Sequence, residues 1–230
     1  MIMATTTAPG STPDQDPFRY PLGEEIASSV IHGIGAALSV AALAILVTLA
    51  GLFGDAWRVV SFAVYGSSLI LLYLASTFYH SFQSPRLKRI FRFCDHAAIF
   101  ILIAGSYTPF MLVSIRGAWG WTVFGVIWGL AVIGIGVTAF VMNSSKRVTA
   151  IIYIAMGWLI VIALKPLAAA LPAGGLFWLS LGGVCYTAGT LFYMWRRLPY
   201  NHAVWHVFVL GGSIFHFFAV LWYVLPMPHA

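Results

Sequence analysis

The chain has 230 residues, of which 61% are hydrophobic and only 8% charged; a soluble domain carries roughly 25% charged residues, so water is excluded as the solvent for most of it. A membrane-spanning helix takes about 20 apolar residues, so this length holds about eight spans at most and leaves no room for a sizeable soluble domain. The net charge of +6 and the pI near 9.6 do not point to nucleic acid, because basic residues of membrane proteins gather in cytoplasmic loops.

Residues 1–23 read as a flexible polar tail. Met1 to Leu22 is Pro-rich, contains Asp14 and Asp16, and lacks the apolar core of a secretory signal peptide. Residues 24–225 read as an all-α, seven-helix transmembrane domain, and residues 226–230 as a short C-terminal tail. The apolar segments are Ile26–Phe53, Val59–Phe82, Phe93–Ile115, Trp119–Met142, Val148–Leu167, Leu176–Trp195 and His202–Leu225. The breaks between them are short, which forces neighbouring helices to run antiparallel. Along the way Cys94 and Cys185 read as small hydrophobic fillers. The stretch Pro85–Arg92, alternating basic and apolar residues, reads as a positively charged inner loop. Trp57, Trp119, Trp178 and Trp195 sit near segment ends, where interfacial belts form. Paired glycines such as Gly33 and Gly35 suit close helix packing.

Loop charge sets an orientation. The second, fourth and sixth loops carry Arg86, Lys88, Arg89, Arg92, Lys146, Arg147, Arg196 and Arg197, whereas the other side carries Arg58, Arg116 and Lys165. Eight against three predicts the N-terminus inside and the C-terminus outside. That is opposite to G-protein-coupled receptors. A retinal protein is disfavoured because the last span contains no lysine for a Schiff base.

Ionisable side chains inside spans are costly and mark function by default. They are His32, His80, Asp95, His96, His202, His206 and His216, with Glu24 and Glu25 at the entrance of the first helix. His80 falls in the last turn of the second span, Asp95 and His96 in the first turn of the third, and His202 and His206 in the first two turns of the seventh. His32 lies about two turns into the first. Four helices thus bring polar residues to one depth at the cytoplasmic face. His202 and His206, at i and i+4, point the same way, about 6 Å apart along the axis. With His80 they supply three imidazoles for one zinc ion and leave a fourth position for water, the pattern of an open zinc site. Ser76, one turn before His80, and Asp95 are then candidates to hold that water or to orient an imidazole. His96 points about 100° away from Asp95 around the helix, and His216 lies near mid-membrane, off the His206 face. His96 is therefore disfavoured as a ligand, His216 reads as a satisfied buried histidine, and His229 as an inert tail residue.

On these motifs the chain resembles the hemolysin III family, bacterial relatives of the progestin and adiponectin receptors and, more distantly, of the alkaline ceramidases. The motifs are Glu25-Ile-Ala-Ser28 followed by His32, then Ser76-Thr-Phe-Tyr-His80 with Phe93-Cys-Asp95-His96, and His202-Ala-Val-Trp-His206. The resemblance implies zinc held by His80, His202 and His206, an aspartate at Asp95 reached through water, and an N-in orientation. Ser28 stands where the receptors often carry asparagine, and their long N-terminal cytoplasmic region is lacking, which argues against a receptor for a protein hormone.

Three functions are compatible with this reading. The first is a zinc-dependent hydrolase of a membrane lipid amide or ester, with Asp95 as general base or water-positioning group and Ser76 beside it. The second is a regulator or sensor of membrane lipid state with a structural zinc. The third is a cytolysin or channel, disfavoured because no span carries a polar stripe along its length. Each places the chain as a multi-pass protein of the bacterial cytoplasmic membrane, with membrane lipids as its partners and no nucleic acid.

Overall fold

The computed structural model describes residues 20–141, 146–195 and 197–226. Most of the polar tail, Met142 with the loop residues after it, Arg196 and the C-terminal residues including His229 lie outside the described residues. Seven helices are long and apolar enough to cross a membrane, and among the described residues there is no strand. They are α1 (Leu22–Phe53), α2 (Ala56–Ser81), α3 (Pro85–Pro109, prolonged by a π-helical turn Phe110–Ser114) and α4 (Ala118–Val141). Next comes α5, an α-helix over Lys146–Gly157 that tightens to 3-10 geometry over Trp158–Ala163 and resumes over Leu164–Ala170. The last two are α6 (Ala173–Met194) and α7 (Asn201–Ala219, prolonged by a π-helical turn Val220–Val224).

Each irregularity has a local cause. Pro109 has no N–H to give the carbonyl four residues earlier, and the wider π turn starts at the next residue. Where α5 tightens, the buried phenol of Tyr107 takes up the displaced backbone groups. Its hydroxyl donates to the carbonyls of Met156 and Gly157 at 2.9 and 2.7 Å and accepts from the Ile160 N–H at 2.7 Å. Inside a bilayer such groups have no water to turn to.

Helix α3 starts eight residues earlier than the apolar count predicts. Pro85 occupies the first helical turn, where its fixed φ and missing N–H do no harm. The basic stretch is therefore helix rather than loop, and Lys88 on it is 6% exposed. The reading of this stretch as a positive inner loop is corrected: it forms the first turns of α3, with Lys88 buried. Helix α1 likewise begins at Leu22, which puts Glu24 and Glu25 in its first turn, both buried.

Helices α1, α2, α3, α5, α6 and α7 pack in that order, and α7 returns to α1, while α4 packs outside against α3. The ring encloses an apolar cavity. The ends of α2 and the starts of α1, α3 and α7 meet at one pole of the bundle. At the other pole the buried Arg58 closes the structure. Its Nε donates to the carbonyls of Val224 and Leu225 at 3.1 and 3.0 Å, Nη2 to that of Pro226 at 3.2 Å, and Nη1 to Asp55 Oδ2 at 2.9 Å. One guanidinium thus satisfies the carbonyls that the end of α7 leaves over.

Candidate metal centre

The i, i+4 spacing on α7 stacks His202 and His206 on one face, and the last turn of α2 brings His80 against them. The Nε2 of His80 lies 3.2 Å from Nε2 of His202 and 3.1 Å from Nε2 of His206. All three side chains are buried, and their ligand atoms lie within 4.8 Å of one another. Zn–N bonds of 2.0–2.1 Å in tetrahedral geometry imply N···N separations of about 3.3 Å, so the observed spacing fits a zinc-sized cation.

The surrounding groups decide which nitrogen of each ring faces the shared point. Glu25 Oε2 lies 2.6 Å from Nδ1 of His80. A carboxylate only accepts, so this contact places the ring proton on Nδ1 and leaves the Nε2 lone pair facing the other two histidines. Glu25 is itself held by Lys88, whose Nζ lies 2.6 Å from Oε1 and donates to the Tyr79 carbonyl at 3.2 Å. The order carboxylate–imidazole–shared point is the usual support of a metal-bound histidine. His202 is supported twice. Tyr20 stacks on its ring at 4.3 Å, with the phenol oxygen 3.2 Å from Nδ1, and Glu24 Oε1 accepts its backbone N–H at 2.9 Å. Burial above all, with nearby Tyr193, Tyr79, Glu24 and Asp95 adding to it, holds the Tyr20 phenol well above its ordinary pKa. The phenol therefore stays protonated.

Polar atoms without partners gather around the cluster. The hydroxyls of Ser28 and Ser76, Nδ1 of His206 and both ring nitrogens of His32 are buried and make no hydrogen bond. Buried polar groups are nearly always satisfied, so this concentration beside three converging imidazoles fits a site built for a ligand. His32 packs its ring against His206, with centroids 3.7 Å apart.

Asp95 is buried at the same pole, but the ligand atoms that gather within 4.8 Å belong to the three histidines. Asp95 lines the cavity that His206 and His32 also line, about 280 Å³ in volume. Ser76 is fully buried one turn before His80. His96 gives its Nδ1 to the Arg92 carbonyl at 2.8 Å. The Nε2 of His216 lies 3.2 Å from the Leu179 carbonyl. A second cavity of about 200 Å³ lies on the His202 side, with Tyr20, Arg92 and His96 in its wall.

His80, His202 and His206 come together as their spacing and depth predict; Asp95 lines the cavity that His206 also lines, and Ser76 is buried one turn before His80. The contacts of Glu25 and Tyr20 with His80 and His202, and of Lys88 with Glu25, are not legible from the spacing. One signal was available: two acids at a helix entrance, at the depth of the histidines, need partners from another helix.

A family model described as Haemolysin-III related matches residues 20–217. Hemolysin-3 of Bacillus cereus is 50% identical over 203 residues, spanning 88% of this chain and 93% of that protein. The Hemolysin-3 homolog of Bacillus subtilis (strain 168) is 45% identical over 209 residues, 91% of this chain and 98% of that one. The Monocyte to macrophage differentiation factor of Homo sapiens is 28% identical over 183 residues, covering 76% and 74% of the two chains. No solved structure matches.

Proposed function

The chain belongs to the haemolysin-III related family, and from that premise we propose that it is a zinc-dependent hydrolase acting on an amide or ester bond of a membrane lipid. The observation that carries this reading is the convergence of three Nε2 atoms beside an apolar cavity that His206 shares with Asp95. A zinc ion held by His80, His202 and His206 supplies Lewis acidity, polarising a carbonyl and making water a stronger acid. The chain's own residues do the rest. Glu25 and Tyr20 hold the rings of His80 and His202 with their Nε2 atoms on one point. Asp95 accepts a proton from the water that attacks the acyl carbonyl and returns it to the leaving amine or alcohol as the C–N or C–O bond breaks, releasing fatty acid, and Ser76 offers a hydroxyl for orienting that water. The apolar wall of the cavity, with Leu102, Ile103 and Phe110 among its side chains, receives hydrocarbon and keeps bulk water out.

The eight-to-three loop charge supports an N-in orientation, with the histidine pole at the inner leaflet of a bacterial cytoplasmic membrane. The name of the Bacillus cereus relative favours a second reading, a cytolysin. A pore wants a polar path from end to end, and the Arg58 closure at the far pole weighs against one. A structural zinc in a lipid-state regulator would be better served by four protein ligands, where the cluster offers three histidines.

The test is turnover by purified protein on a panel of phospholipids and N-acyl lipids in mixed micelles. Wild type should release fatty acid, and chelation should abolish the release. Asp95→Asn should keep its zinc and lose at least about 100-fold in rate, the size of a general-base contribution. Turnover at the wild-type rate in Asp95→Asn would sink the assignment.

A further inference from the structure

Among the described residues, His32 is the one buried histidine with neither ring nitrogen in a well-formed hydrogen bond, although the backbone of His206 lies within reach of the ring. It is 2% exposed and lies on α1 about two turns from the cluster pole. The fold does find partners for other histidines of this region. His216, on the wall of the same cavity, has its Nε2 at the Leu179 carbonyl, and His96 bonds the Arg92 carbonyl. A pair of orphaned nitrogens at this depth is therefore an exception, and such exceptions call for a ligand.

The ring is also fixed in place. One side packs on His206, with centroids 3.7 Å apart, and its edge meets Tyr73 at 4.9 Å and 85°. Tyr73 is anchored in turn by its hydroxyl, which donates to Ser213 Oγ at 2.7 Å. The approach of Tyr73 to α1 depends on Gly35, where a Cβ would stand 2.5 Å from the tyrosine ring. His32 thus presents a held imidazole to the cavity, beside a candidate metal ligand, with no well-formed hydrogen bond to either ring nitrogen. Apart from Asp95 and a few hydroxyls, the rest of the wall, Leu72, Ile99 and Leu102 among others, is mostly apolar.

We propose that His32 is the substrate contact of this cavity, donating a ring N–H to the carbonyl oxygen of the lipid's scissile amide or ester group. The assignment rests on the hydrolase reading for the identity of that group, but the contact itself is a binding property and is measurable without turnover. It also accounts for the position of His32. A carbonyl bonded there lies against His206, within reach of the shared point of the three histidines, while its hydrocarbon runs along the apolar wall.

The experiment compares wild type, His32→Phe and His32→Gln as full-length protein in detergent. Two radiolabelled probes are used, palmitoyl N-methylamide, which carries the carbonyl, and hexadecyl methyl ether, which lacks it. Zinc content, thermal unfolding and lipid turnover are measured alongside. Phenylalanine keeps the ring and removes both orphaned nitrogens, so His32→Phe should keep its zinc and unfold at or above the wild-type temperature. It should lose about tenfold in amide affinity, the worth of one buried hydrogen bond, with ether affinity unchanged, and turnover should fall at least as far. His32→Gln, which retains an N–H donor, should recover part of the amide preference. Unchanged amide affinity in His32→Phe, equal loss for both probes, loss of zinc, or binding of neither probe by wild type would each overturn the proposal. A wild type that binds the amide through His32 without cleaving it would refute the hydrolase reading alone.

Discussion

Replacing Glu25 by glutamine tests the support of His80 in a way that separates metal binding from folding. The substitution keeps shape and removes charge from a carboxylate that touches His80 Nδ1 and Lys88 Nζ, each at 2.6 Å. Both charged side chains are almost fully buried. Two effects follow, with different sizes. Loss of the partner that fixes a ligand's ring typically lowers metal affinity 10- to 100-fold, about 1.4–2.7 kcal/mol. Breaking a buried ion pair leaves an uncompensated ammonium and costs about 3–5 kcal/mol of stability. Glu25→Gln should therefore unfold well below wild type and bind zinc weakly. Adding Lys88→Met removes the stranded charge, so the double variant should regain most of the stability while its zinc affinity stays low. Thermal unfolding in detergent with a metal buffered across several decades of free zinc reads both quantities. Wild-type zinc affinity in the double variant would show that the carboxylate does not support His80, and the reasoning would fall.

At the opposite pole, Arg58→Met should lower stability by about 1–3 kcal/mol by stranding buried carbonyls, with zinc content unchanged; loss of zinc would mean that the two poles are coupled. Tyr107→Phe should destabilise by a similar amount, because the carbonyls of Met156 and Gly157 and the N–H of Ile160 lose their shared partner. Differential scanning in detergent checks both variants. Reporter fusions after Met142 and at the C-terminus should report cytoplasm and exterior respectively, and the same side for both would contradict a seven-span, N-in chain.

The parts that were legible in the sequence are those set by a single helix. Seven apolar runs gave seven helices. The i, i+4 spacing placed His202 and His206 on one face, and antiparallel connections brought His80 and Asp95 to their depth. What escaped depends on which helices are neighbours. Lys88 reads as a loop cation until the start of α3 brings its ammonium to Glu25 on α1, which supplies the countercharge. Tyr20 reads as part of a tail until the chain before α1 lays it on His202. His32 shares a depth with His206, but periodicity on α1 does not reveal which helix its face meets. The early start of α3 escaped for a different reason. The apolar count begins where charges end, whereas a helix begins where its backbone permits, here at Pro85.

The central claim is that the Nε2 atoms of His80, His202 and His206 hold one metal ion. Zinc X-ray absorption on protein purified without added metal, paired with elemental analysis, addresses it most directly. The claim predicts about one zinc per chain with three imidazole nitrogens near 2.0–2.1 Å, and near-complete loss of the metal in the double variant His202→Ala, His206→Ala. Full zinc occupancy in that double variant, or a wild-type spectrum without histidine scattering, would contradict it.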